Sequence, residues 1–217
     1  MKNAFIFDLD GVLINNEPRW DSVKKDLFTE LFGKEIYLQM GSTIGLNMDA
    51  IYEKAVQFGA TTPKKVLFDK FYHYATDIYH TTPITDGIEE LGRLLVEKDF
   101  AIGIVSASPR EWMELVIERL SFKNKIQVII SLEQRKDLGH KPEPDGYLEA
   151  IKELHSNPSH TMILEDSNAG IQSAKKAGAY VLGLKQNLVD GYEQIGADIY
   201  VNQVKDILKI VNEFSVR

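Results

Sequence analysis

FIFDLDGVL (residues 5–13) runs an apolar stretch straight into two acids. Phe5, Ile6 and Phe7 suit a strand buried on both faces. Asp8 and Asp10 follow with one leucine between them, and then Gly11. Two readings fit: the acids cap a turn, or something positive sits between them. The same arrangement recurs downstream. Residues 102–105 end at Ser106, 128–130 at Ser131, and 162–164 at Glu165 and Asp166. Short apolar runs that each stop at a polar residue read as the buried strands of a parallel sheet. Residues 180–184 and 199–201 read as further strands.

Between these runs the apolar spacing turns helical, over 87–98, 111–120, 145–155 and 169–177, with a closing helix over 204–214. Strands alternating with helices predict an α/β fold, its parallel sheet flanked by helices on both faces. Ligands of such sheets bind outside the carboxyl ends of the strands, where the polar residues just named lie. Residues 15–82 break the alternation. Helical patterns over 19–32, 49–58 and 64–79 stand there without a strand signal. The expected organisation is a sheet domain of residues 1–14 and 83–217, interrupted by a helical insert of residues 15–82. Trp20 and the cluster Phe71, Tyr72 and Tyr74 read as the core of that insert.

Composition bounds the function. Apolar residues make up 44% of 217, and charged residues 26%, as in ordinary globular proteins. No apolar run is long enough to span a bilayer. Asp8 and Asp10 interrupt the first apolar stretch too early for a signal peptide, so a cytoplasmic protein without membrane contact is expected. With no cysteine, disulfides, thiol nucleophiles and thiolate metal sites are excluded. A net charge of −7 argues against nucleic acid as a partner. An anionic small substrate stays compatible, because a cation or a lysine reverses the sign locally. The five histidines show no metal-ligand spacing and read as surface or packing residues.

The polar strand ends suit phosphoryl transfer. A carboxylate such as Asp8 can act as nucleophile and divide one difficult displacement into two easier ones. Repulsion between it and a phosphate ester calls for a divalent cation. Magnesium takes oxygen ligands, for which Asp8, a nearby backbone carbonyl, Glu165 and Asp166 are the candidates. Asp10 can protonate the leaving oxygen and later deprotonate water. Gly11 allows the chain to turn away. Ser106 and the following N–H groups, from Ala107 onward, can hold phosphate oxygens. Lys141, biased toward an extended conformation by Pro142, brings positive charge to both the phosphate and Asp8. Each piece has a plainer reading: Ser106 as a helix cap, Lys141 as a solvated lysine, Glu165–Asp166, Ser167 or Asn168 as a cap for the helix that follows.

Taken in order, FDLDGVL (7–13), VSAS (105–108), KPEPDGYLEA (141–150) and LEDSNAGIQSAKKAGA (164–179) resemble the haloacid dehalogenase superfamily of phosphohydrolases. Within it they are similar to the β-phosphoglucomutase and sugar-phosphatase branch. The resemblance implies a Rossmann-like core with a helical cap and a magnesium ion. It implies Asp8 as nucleophile and metal ligand, and Asp10 as general acid/base that donates its carbonyl to the metal. It also implies Ser106 for phosphate binding, Lys141 for charge, and Glu165 with Asp166 completing the metal site. Glu17 and Asn47 are candidates to read the substrate from the insert. Mutases of that branch carry a histidine near the position of Trp20 and an arginine near Asn47, and this chain has neither. That departure favours hydrolysis of a small phosphorylated metabolite over mutase chemistry. A phospho-receiver and a non-catalytic sugar-phosphate binder are the alternatives of another class. One chain supplies every group, so a monomer is expected.

Overall fold

The computed structural model describes residues 2–41, 43 and 48–214. The chain divides into two compact units, one of residues 1–15 and 82–217, the other of residues 16–81.

The first unit is built on six parallel strands, β1 (Ala4–Phe7), β2 (Ala101–Ser106), β3 (Ile126–Ser131), β4 (Thr161–Glu165), β5 (Tyr180–Leu184) and β6 (Ile199–Val201). Their order is β3-β2-β1-β4-β5-β6, an α/β arrangement of Rossmann type. β1 pairs with β2 on one side and β4 on the other, Phe7 standing opposite both Ile104 and Leu164. Strand order therefore reverses beside β1, which opens a crevice at the carboxyl ends of β1, β2 and β4. Ala4 to Phe7 are buried throughout, as a central strand covered on both faces requires. One layer of core joins Ile6, Ile163 and Val181 of the sheet to Tyr147, Ile151 and Ile171, which lie on the helices α7 and α8 named below.

Both crossings out of this unit lie side by side within it. Ile14 bridges Ile84, and Thr85 N donates to Leu13 O at 2.9 Å.

The second unit contains α1 (Glu17–Phe32), α2 (Lys34–Met40), α3 (Met48–Gln57) and α4 (Lys64–Thr81). Its core is Leu27, Phe28, Phe32, Met40, Ile51, Ala55 and Leu67. Trp20 stacks on Phe71 with ring centroids 4.9 Å apart, and Arg19 Nη2 meets Asp77 Oδ2 at 2.7 Å, so α1 and α4 are tied by both aromatic and ionic contacts. Tyr72 does not join this core: it is 50% exposed. Phe71, Tyr74, Ala75 and Ile78 share the buried face of α4, and a residue one position on from Phe71 turns about 100° away from it. The sequence reading also lacks α2. Seven residues make only two turns, too few for a 3.6-residue period to stand out.

The remaining helices belong to the first unit: α5 (Ile88–Glu97), α6 (Arg110–Ile117), α7 (Asp145–Glu153), α8 (Asn168–Lys176) and α9 (Ile207–Glu213). The expected helix over 204–214 begins instead as a 3-10 turn, Val204–Asp206, where Gln203 and Asp206 satisfy each other's backbone N–H groups. Among the described residues, no helix is long and apolar enough to cross a membrane.

Candidate active site

Asp8 stands one residue past β1 and is 6% exposed. Its N–H continues the ladder to Leu164 O at 3.0 Å, which fixes the carboxyl beside the end of β4. Lys141 reaches the same place from the loop before α7, a loop whose Lys141–Pro142 bond is cis. Its Nζ bonds Asp8 Oδ1, and it donates to Glu165 Oε1 at 2.7 Å and Val105 O at 3.3 Å. Lys141 is therefore no solvated lysine. Tyr147, wholly buried on α7, donates its hydroxyl to Glu165 Oε1 at 2.6 Å. The Lys141 ammonium lies 5.1 Å from the centre of its ring, within cation–π range.

Glu165 ends β4 with no exposure at all. Its Oε2 accepts from the N–H groups of Asp166 (3.1 Å) and Ser167 (3.2 Å) and from Ser167 Oγ (3.1 Å). Ser167 Oγ also accepts from Gly170 N at 3.0 Å, so the cap of α8 is Ser167 rather than either acid. Gly170 gives Glu165 its room: a Cβ there would lie 1.8 Å from Oε1. Gly170→Ala would ordinarily stabilise a helix by about 1 kcal/mol. Here it is expected to destabilise by about 1–3 kcal/mol through overpacking, lowering the melting temperature by roughly 5 °C in a thermal denaturation scan.

Asp10 projects toward the end of β2. Its Oδ2 accepts from Ser106 Oγ at 3.1 Å and Ser108 Oγ at 2.7 Å. Ser108 N donates to Ser106 Oγ at 3.0 Å, and Ser131 Oγ to Ser108 O at 2.7 Å. Ser106 is fully buried and does not cap α6, which starts after Pro109 without a side-chain cap. Gly11 has φ +77°, and a Cβ there would lie 1.9 Å from Asp166 Oδ2. A side chain would strain the backbone and displace that acid at once.

The site concentrates negative charge. Asp8, Asp10, Glu165 and Asp166 surround one ammonium, that of Lys141. Burial pushes the Asp8 carboxyl up to about 8; Lys141 pulls against this, while Glu165 and Asp10 add to it. Burial, then Glu165 and Asp8, hold Asp166 well above the usual carboxylate range. Burial works against the charge on Lys141, but Asp8 and Glu165 keep it protonated well above an ordinary lysine. Burial and Glu165 raise the Tyr147 phenol in the same sense.

Asp8, Glu165 and Asp166 each offer an oxygen, all within 4.8 Å of one another. Two magnesium–oxygen bonds of about 2.1 Å reach about 4.2 Å, so at the widest the acids would draw in slightly on an ion, and three carboxyls against one ammonium leave room for a divalent charge. The donor set fits a hard cation. Glu165 is the least free of the three, since five donors already address its two oxygens.

The sheet unit thus brings Asp8, Asp10, Gly11, Ser106, Lys141, Glu165 and Asp166 to one crevice. Ala107 is exposed beside Ser106. Glu17 lies exposed in the first turn of α1, in the other unit, and Asn47 is outside the described residues. Sequence reasoning missed Ser108 and Tyr147, although both stand inside the quoted motifs. Neither announces itself, because a serine before a helix and a tyrosine at a core position are commonplace.

Over residues 5–184 the chain matches the family described as haloacid dehalogenase-like hydrolase. It is 28% identical over 179 residues to hexitol phosphatase B of Escherichia coli K12, covering 80% of this chain and 79% of that one. It is 26% identical over 225 residues to β-phosphoglucomutase of Bacillus subtilis 168, covering 97% and 94%. The crystal structure of β-phosphoglucomutase from Clostridium difficile superposes with a TM-score of 0.71 at 24% identity, covering all of both chains.

Proposed function

Because the chain belongs to the haloacid dehalogenase-like hydrolases, we propose that it is a magnesium-dependent phosphatase of small phosphomonoesters, sugar phosphates foremost. The observation that carries this reading is the convergence of Asp8, Asp166 and Lys141 on one buried crevice, with Asp10 beside them.

Asp8 Oδ attacks phosphorus, and the bond from phosphorus to the ester oxygen breaks. Asp10 delivers a proton to the departing alkoxide. The resulting acyl phosphate on Asp8 is then attacked by water, which gives its proton to Asp10, and the bond to Asp8 breaks as inorganic phosphate leaves. Lys141 neutralises charge between Asp8 and the phosphoryl oxygens. Ser106 Oγ, now on Asp10, is placed to turn to a phosphoryl oxygen. Asp8, Asp166 and the Asp10 carbonyl would hold magnesium, and Glu165 orients Lys141 while completing the acidic set. When bound, the ion supplies positive charge that keeps Asp8 ionised and screens it from an incoming anion.

Residues 16–81 act as a cap that reads the leaving group, with Glu17 and Asn47 as candidate contacts. The one arginine of this segment, Arg19, is engaged with Asp77. No other guanidinium there can grip the second phosphate of a mutase intermediate, which favours hydrolysis. The listener role of a phospho-receiver is disfavoured by the paired acid and serines at Asp10, which equip the site to turn over. A single chain supplies every group named, so a cytoplasmic monomer suffices.

Phosphate release from a panel of hexose, hexitol and pentose phosphates, with pyrophosphate included, tests the reading. At least one sugar or hexitol phosphate is expected to be cleaved with magnesium. EDTA should reduce that rate by about a hundredfold or more. An inert panel, or cleavage indifferent to EDTA, would sink the proposal. Accumulation of a bisphosphate-dependent isomer instead of phosphate would make the enzyme a mutase.

A further inference from the structure

The segment after β5, residues 185–196, belongs to no motif quoted above, yet it reaches both acid-bearing loops. Asn187 Nδ2 donates to Gly11 O and to Thr85 Oγ1, each at 2.9 Å. Gln194 Nε2 donates to Asp166 O at 2.7 Å and to Leu184 O at 2.8 Å. Between these two arms, Tyr192 OH accepts from Asn168 N at 2.8 Å, and Asn168 Nδ2 donates to Glu193 O at 2.9 Å. Asn168 Oδ1 in turn accepts from Ile195 N at 2.8 Å. The start of α8, just past Asp166, is thereby sewn to the same segment.

The orientation of the Gln194 amide is informative. Its Oε1 is buried without a hydrogen-bond partner among the described residues, which costs about 1–3 kcal/mol. Turning the amide over would set that oxygen against two carbonyls, so the Asp166 and Leu184 carbonyls dictate its direction. Gly11 and Asp166 also meet face to face, the acid occupying the space a Cβ would take. Small rotations of either peptide would therefore change where the Asp166 carboxyl points relative to Asp8 and the Asp10 carbonyl.

We propose that Asn187 and Gln194 are positioning residues, two arms of one strap that hold the Asp10–Gly11 and Asp166 loops at the separation a divalent cation needs. The proposal rests on the metal site described under the proposed function. Outer-shell hydrogen bonds of this kind typically change metal affinity by about 10–100-fold when removed.

Titration calorimetry of the full chain with magnesium chloride, without substrate, tests it directly. Asn187→Ala and Gln194→Ala should each weaken magnesium binding by about tenfold or more. Their turnover should be depressed at limiting magnesium and recovered as magnesium is raised, a shift that a general loss of stability would not produce. Val189→Ala, at a position 52% exposed on the same segment, should bind magnesium as the parent does. If Gln194→Ala does not fold, Asn187→Ala decides. Parent-like magnesium affinity in the variants, with an active parent, would overturn the strap and leave the catalytic reading standing. A parent that neither binds magnesium nor hydrolyses any phosphate with it would remove both.

Discussion

Asp8→Asn is expected to abolish phosphate release, by about 10⁵-fold or more, without unfolding the protein. The amide has no charge to offer phosphorus, and effects of this size accompany removal of a nucleophile. The structure also predicts what happens to stability. In the metal-free protein burial lifts the Asp8 carboxyl from 3.8 to about 8, so the folded state binds its proton more tightly than the unfolded chain does. Such a group contributes stability that is fully present below 3.8 and is lost as pH rises through about 8. Asparagine cannot ionise. The variant should therefore melt above the parent near pH 8, with the difference shrinking toward pH 4. The rise in melting temperature on adding magnesium should be smaller in the variant than in the parent. Retained turnover, or a melting temperature well below the parent's at pH 8, would show that Asp8 is a structural acid.

Lys141→Met is expected to give the opposite stability result. The ammonium is held by Asp8 and Glu165, with side-chain exposures of 11%, 9% and 0% for the three. Removing one member of a buried ionic group typically costs about 3–5 kcal/mol, here a fall of roughly 10 °C in melting temperature. Lys141 lowers the pKa of Asp8, so without it the cost of ionising that acid grows. The deficit relative to the parent should deepen as pH rises from 5 to 9. Turnover should fall by about 10²–10³-fold, the usual loss on deleting one group that stabilises transition-state charge. Circular dichroism melts across that pH range and initial rates at saturating magnesium check both. A melting temperature unmoved at every pH would mean that the lysine does not neutralise the acids.

The sheet was legible because its central strands are buried on both faces. Central strands such as Ala4–Phe7 have no polar alternation to blur, and β1, β2 and β4 run out at the candidate site residues Asp8, Ser106 and Glu165. The acids were legible for the same reason, since charges at the end of a buried strand stand out, whereas Lys141, in the loop between β3 and α7, stood out through Pro142 and the motif KPEPDGYLEA. What escaped notice were neutral partners. Tyr147 reads as a core aromatic until its hydroxyl is found on Glu165, and Ser108 as a turn residue until it is found on Asp10. Asn187 and Gln194 lie far along the chain from the acids they support, in a segment without periodicity. Their role exists only once β5 is laid beside β4. In the second unit, Tyr72 was misplaced because three aromatics in four residues look like one cluster, whereas a helix divides them between faces.

The bridge between Ile14 and Ile84 makes the intervening segment a handle whose two roots are sewn together in the body that bears the chemistry. A different helical module grafted between residues 15 and 82 would meet the same paired stumps and leave the strand register undisturbed. With the leaving group read by this segment, as proposed, selectivity and reactivity would be inherited separately, and a chimera exchanging only that handle is the natural way to retarget the enzyme.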